Sequence, residues 1–192
     1  ILEQVNDIGD ELKSAEQKAQ YYQAELQELL LTFPNIPDQS VPEGLDESAN
    51  QQIRQWGEVP QLSFTPLDHT TLGENLGLLD FETASKLSGS RFALLRKDLA
   101  RLHRALAAFM LDVHTMQHQY EEISVPLLVL RKCLYGTGQL PKFEEDQFGI
   151  AGDWDFSLIP TAEVPLVNMA RDMIYDQSQL PLKWVAHSAC FR

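Results

Sequence analysis

Long apolar runs are missing from this sequence: nothing approaches the roughly eighteen consecutive apolar residues of a bilayer-spanning helix. The first residues also lack the basic-then-apolar pattern of a secretory leader. Both observations predict a cytoplasmic location and no membrane partner. Cysteine is scarce: Cys133 and Cys190 stand far apart, with no further cysteine or histidine at metal-ligand spacing. They are read as reduced thiols, and structural zinc is not expected. Positive charge is also in short supply, with 15 Lys and Arg against 28 Asp and Glu and a formal net charge of -13. Composition alone therefore argues against a grip on a phosphate backbone, which calls for a basic patch. The sequence nevertheless gathers Arg91, Arg96, Lys97, Arg101 and Arg104 into one stretch. That stretch reads either as a local positive surface or as an ordinary solvated helix face.

With 44% hydrophobic and 22% charged residues, the chain has the composition of a globular protein able to build one substantial core. Proline is absent from Ile1 to Phe33, where apolar or small residues recur at Ile1, Val5, Ile8, Leu12, Ala15, Ala19, Tyr22, Leu26, Leu29 and Phe33. The alternating four-three spacing is a heptad seam, which needs a partner helix because one helix cannot bury its own stripe. The competing reading is an amphipathic helix packed on a globular core. Residues 34–61 read as a linker: Pro34, Pro37, Pro42 and Pro60 fall among acidic residues with little apolar periodicity. A short helix is plausible there from Asp46 to Trp56.

From residue 62 to 192 the pattern is globular. A turn at Ser88-Gly89-Ser90 leads into a helix from about Arg96 to His118, with Leu99, Leu102, Leu106, Phe109, Met110 and Val113 on its apolar face. Ile123, Val125 and Leu127 to Leu130 are strand-like around Pro126, where proline implies an edge or a bulge. Trp154 to Ile159, a helix from about Glu163 to Ile174 and a strand from Lys183 to Arg192 follow. This order predicts an α+β chain with an antiparallel sheet flanked by helices. His114 and His118 lie one helical turn apart, but the intervening Thr115-Met116-Gln117 lacks the glutamate of a zinc peptidase, and no metal site is assigned. Gly136 and Gly138 read as turn residues, and Asp153 and Asp155 as flanks of a hairpin.

Six ordered segments carry a specific likeness. They are Pro34-Asn35-Ile36-Pro37-Asp38 with Ser40-Val41-Pro42; Gly73 through Phe81; Gly89-Ser90-Arg91-Phe92; Tyr135 through Asp146; Leu158 through Leu166; and Cys190-Phe191-Arg192. In this combination the chain resembles the bacterial type of seryl-tRNA synthetase across its whole length. The resemblance implies a class II synthetase fold. Residues 1–33 would be the C-terminal helix of a long antiparallel coiled-coil arm that binds tRNA. Residues 34–61 would be a linker, and residues 62–192 the N-terminal part of the catalytic domain. The helix with the strand through Pro126 resembles motif 1, which builds a homodimer interface, and Phe191-Arg192 the opening of motif 2.

The implied chemistry is activation of L-serine by ATP to seryl-adenylate, followed by transfer to serine tRNA, with selenocysteine tRNA as a further family substrate. Serine's carboxylate attacks the α-phosphorus, so two anions must be brought together. A guanidinium fork screens their repulsion while staying charged at every working pH. The resemblance gives that ATP-binding role to Arg192, with Mg2+ sharing the charge. Thr161, Ala162 and Glu163 match the serine-binding loop; taken alone they also read as a helix start, with Thr161 as cap and Glu163 in the first turn. Glu163 and Arg192 are expected to face one cavity. The resemblance further implies a fragment that stops before the motif 2 loop and motif 3 and is inactive by itself. A non-catalytic RNA-binding or dimerising paralogue is the rival reading, against which the presence of Thr161, Glu163 and Arg192 speaks.

Overall fold

The computed structural model describes the backbone of residues 2–192 and the side chains of residues 7–192. It falls into two compact units, Ile1–Glu58 and Val59–Arg192. The first holds helix α1 (Leu2–Thr32), rich in alanine, leucine, glutamate, glutamine and lysine, all good helix formers. At 1.5 Å per residue it is about 46 Å long. Tyr21 donates to Glu25 across one turn (2.6 Å). The helix stops at Thr32, whose hydroxyl folds back on the Leu29 carbonyl (2.7 Å). Pro34 then denies Phe33 the helical region. Along the seam Ile8, Leu12, Tyr22, Leu26, Leu29 and Phe33 each leave more than half their surface exposed. Ile1 and the Val5 side chain lie outside the described residues.

Beyond α1 the first unit is irregular apart from one 3-10 turn at Glu47–Ala49, shorter than the helix expected from Asp46 to Trp56. Asp38 accepts from the Ser40 amide (2.9 Å) and Asp46 from the Ser48 amide (2.9 Å). Such side-chain turns give the backbone an alternative to helix.

In the second unit three helices are joined through short extended segments. Asp68 caps α2 (His69–Asn75) by accepting from the Thr70 and Thr71 amides (2.9 and 3.0 Å). Its carboxyl is held far below the usual carboxylate range, first by the Thr70 hydroxyl. Asp80 caps α3 (Phe81–Ser88), accepting from the Thr83 amide (2.9 Å) and from Arg96 Nη1 (3.1 Å). Leu78–Asp80 lies against Leu94–Arg96 through the Arg96 amide to the Leu78 carbonyl (2.8 Å) and the Asp80 amide to the Leu94 carbonyl (3.0 Å). Gly73 makes the close approach possible, since a Cβ there would come within 2.7 Å of the Leu79 side chain.

Helix α4 (Lys97–Met116) covers most of the expected span from Arg96 to His118. Of its residues only Ala107 is buried, whereas Leu102, Leu106, Phe109 and Met110 are about half exposed or more. His114, His118 and Tyr120 cluster where the helix ends, with the two imidazole Nδ1 atoms 3.2 Å apart.

The strands are shorter than expected and do not form a single antiparallel sheet. β1 (Glu121–Glu122) pairs in parallel with β4 (Trp184–Val185), and β2 (Leu128–Leu130) pairs antiparallel with β3 (Phe156–Leu158). Pro126, which has no amide to donate, falls between β1 and β2, so the chain on either side finds a different partner. Of the strand expected from Lys183 to Arg192, only Trp184–Val185 enters a ladder. α5 (Arg131–Gly136) follows β2 without a break, a helix hidden by the expectation of a strand running into a turn. α6 (Glu163–Met169) ends five residues before the expected Ile174, and Asp172 shortly after has a left-handed φ of 61°. Val129, Leu134, Leu140, Ile159 and Val164 from β2, α5, the turn after it, the end of β3 and α6 make the core.

Truncating Val164 or Leu134, both with no exposed surface, to alanine should cost about 2–5 kcal/mol of the second unit's stability in a urea titration. The exposed-face change Phe109→Ser should shift the monomer's midpoint by no more than about 0.5 kcal/mol.

Candidate ligand-binding site

Ile159 is held from both sides: its amide donates to the Leu127 carbonyl (2.9 Å), and its carbonyl accepts from the Phe191 amide (2.9 Å). With Ile159 and Val164 fully buried and Pro160 and Pro165 buried beside them, the intervening Thr161-Ala162-Glu163 turn is anchored at both ends. The Phe191 bond brings the last residues of the chain alongside. Thr161 and Arg192 consequently border one cavity of about 100 Å³, together with Gln139, Asp146, Gln147 and Pro160.

Arg131, at the start of α5, holds the far wall by gripping the Glu144 carboxylate with Nη2 at 2.8 and 2.7 Å. This hydrogen-bonded ion pair keeps the Glu144 carboxyl below the usual carboxylate range. It fixes the 3-10 turn Glu144–Asp146, so Asp146 and Gln147 meet the cavity. Gln147 donates through Nε2 to the Phe143 carbonyl (3.0 Å), and its buried Oε1 has no partner among the described residues. Gln139 Oε1 accepts from the Thr137 hydroxyl. The cavity thus offers a guanidinium, a hydroxyl, two side-chain amides and a carboxylate: a small polar site able to pair with both signs of charge. Gln139, Asp146 and Gln147 were not legible as site residues. Their only signal was membership of the segment from Tyr135 to Asp146 and its neighbour.

Glu163 lies elsewhere. It is exposed, opens α6, and lines a second cavity of about 570 Å³ with Tyr120, Leu166, Leu182, Lys183 and Trp184. Glu163 and Arg192 thus border different cavities. Ala162 already has helical backbone angles (φ -62°, ψ -19°), and each helical step turns a side chain by about 100°. The N-cap position falls on Ala162 and not on the expected Thr161, whose Oγ1 nevertheless accepts from the Glu163 amide at 3.3 Å. Ala162 is half-buried between them. Pro126 is exposed and borders a third cavity, of about 400 Å³, with Val129, Cys133, Asn168 and Arg171.

The Arg131–Glu144 pair makes the cavity wall pH-dependent. Because the folded carboxyl titrates below its unfolded value of about 4.3, its contribution is full above that pH and is lost as pH falls through the depressed folded value. Protection of the amides of residues 143–147, taken relative to the intrinsic exchange rate at each pH, should fall below about pH 4, and Glu144→Gln should remove that dependence.

No family model matches the chain. Over all 192 residues it is 56% identical to a serine–tRNA ligase of Coxiella burnetii and 54% identical to one of Hahella chejuensis. In each case it spans 45% of the relative's length. Among solved structures, seryl-tRNA synthetase from Pyrococcus horikoshii complexed with ATP superposes with a TM-score of 0.83 at 32% identity, covering 96% of this chain and 45% of that one. The cytoplasmic serine–tRNA ligase of Naegleria fowleri in complex with AMP gives 0.80 at 27% identity, covering 94% and 42%. By sequence along its whole length and by fold, the chain is similar to seryl-tRNA synthetases, and it spans a little under half the length of the relatives it matches.

Proposed function

We propose that this chain is the part of a serine–tRNA ligase that carries one helix of a coiled-coil arm, a linker and the first half of a class II catalytic domain. The protein it belongs to activates L-serine with ATP to seryl-adenylate and charges serine tRNA, with selenocysteine tRNA as a second acceptor, in the cytoplasm. The observation that carries this reading is the placement of Thr161 and Arg192 on one polar cavity in a chain related throughout to ligases of that name. The exposed α1 seam supports a partner helix for the arm. The exposed apolar face of α4, in the same sequence region as Pro126, supports a homodimer interface built on motif 1.

In the first step the serine carboxylate is itself the nucleophile, so no side-chain base is needed. Arg192 bridges that carboxylate and the α-phosphate, which lowers their repulsion in the approach and stabilises charge developing at phosphorus. Thr161 receives the serine hydroxyl. Glu163, which opens α6 directly after Thr161-Ala162, supplies the negative charge for the ammonium group, while Ala162 leaves room. A site whose polar groups need the hydroxyl rejects alanine strongly, because the analogue leaves those groups unpaired. Mg2+, held on the nucleotide's phosphates, would share their negative charge. Among the described residues there is no cluster of three or more His, Cys, Asp or Glu to hold it, and the chain's own share of the chemistry falls to Arg192 and the Thr161 turn.

In a protein of the relatives' full length carrying this chain, Arg192→Ala and Glu163→Ala should each lower serine-dependent pyrophosphate exchange by at least about a hundredfold. An exchange rate unchanged in either variant removes that residue from the site. No exchange in the parent enzyme removes the catalytic reading altogether.

A further inference from the structure

Among the described residues, α4 carries more positive charge than its ion pairs use. Lys97, Arg101 and Arg104 are exposed; Arg101 and Arg104 lie one turn apart on one face of the helix, and Lys97 opens it with a left-handed φ of 50°, about 10 Å from Arg104 along the axis. Asp98, a quarter-turn away, is the sole acidic residue from Lys97 to Leu111. Among the described residues, the ion pair in this region is Arg96 with Asp80 at the helix entry, and none of the three stripe cations takes part in one. Helix energetics disfavour this arrangement. Like charges one turn apart repel, and cations near the first turn oppose the positive end of the helix dipole. The rest of the chain pulls the other way, to a net charge of -13, so the stripe is not the by-product of a basic composition.

We propose that the Lys97–Arg101–Arg104 stripe of α4 is a contact surface for the sugar-phosphate backbone of RNA, supplied by the tRNA substrate. This rests on the ligase reading and extends it, since the stripe stands apart from the Thr161 turn and the Arg192 cavity. Charge complementarity selects the occupant: three long, mobile cations on a straight helix match the evenly spaced charges of a phosphate backbone. They carry no apparatus for reading bases. Binding there positions the substrate, and it is sensitive to salt, because each phosphate neutralised releases counterions.

The test uses the full-length ligase carrying this chain, with Lys97→Gln, Arg101→Gln and Arg104→Gln combined, and Arg101→Glu with Arg104→Glu as a second variant. Glutamine keeps helix propensity while removing charge, and sedimentation checks that the oligomeric state is retained. Expected are a tRNA Kd raised about tenfold or more at moderate salt and a log K against log salt slope shallower by roughly 2–3. Serine-dependent pyrophosphate exchange, measured without tRNA, should stay at the parent level. An unchanged slope and affinity overturn the proposal. So does binding of the parent to vesicles rich in anionic lipid that both variants abolish while tRNA affinity stands. Should the parent show no exchange, the ligase reading fails, and the tRNA titration still decides the stripe.

Discussion

The Thr161-Ala162-Glu163 turn keeps its shape because the residues around it are out of water. Ile159 and Val164 have no exposed surface and pack with Leu134 and Leu140, so any shift of the turn would open space among side chains packed at crystal-like density. The two backbone bonds of Ile159 then do two jobs. One ties the end of β3 to Leu127, and the other ties Phe191, hence Arg192, to the same point. Local sequence could not have produced this meeting of residues more than thirty positions apart. It is a product of the core.

The sheet follows from the same constraint, with proline as the dividing element. An uninterrupted strand from Ile123 to Leu130 would demand continuous partners on one side. Pro126 removes an amide from that ladder, and the chain resolves the conflict by pairing Glu121–Glu122 with Trp184–Val185 and Leu128–Leu130 with Phe156–Leu158. The first pair is parallel, which a connection long enough to hold α5, β3 and α6 permits. Among the described residues the antiparallel expectation survives in the β2–β3 pair and in isolated bridges of Leu79 with Leu95 and Gly149 with Ser157.

What was readable from residues alone divides along physical lines. Helices with long, regular apolar spacing, α1 and α4, were legible because periodicity accumulates over many turns. The short ones were not. α2 and α3 span 7 and 8 residues, and their start is written in Asp68 and Asp80, capping residues that also suit ordinary turns. α5 has no break before it, so strand and helix could not be separated by pattern. At the site, Thr161 and Arg192 were legible through family likeness and meet on one cavity, while the bordering of a second cavity by Glu163 depends on how α6 sits on the core, which no side-chain pattern announces. Gln147 was illegible for a different reason: an amide becomes a notable acceptor only after folding buries its oxygen.

Charge gives the last step. A net value of -13 suggests a protein that repels phosphate, yet electrostatics in salt is local, because exposed charges are screened within about 8–10 Å. Over that distance the field near Arg101 is set first by its helix neighbours Lys97 and Arg104. Acidity spread over the rest of the chain then serves solubility and repels non-specific polyanions, while concentrated cations retain local attraction. Selectivity for one RNA among many anions is better served by this division than by a uniformly basic surface, since a distributed positive field attracts every polyanion alike and only a confined one makes geometry matter.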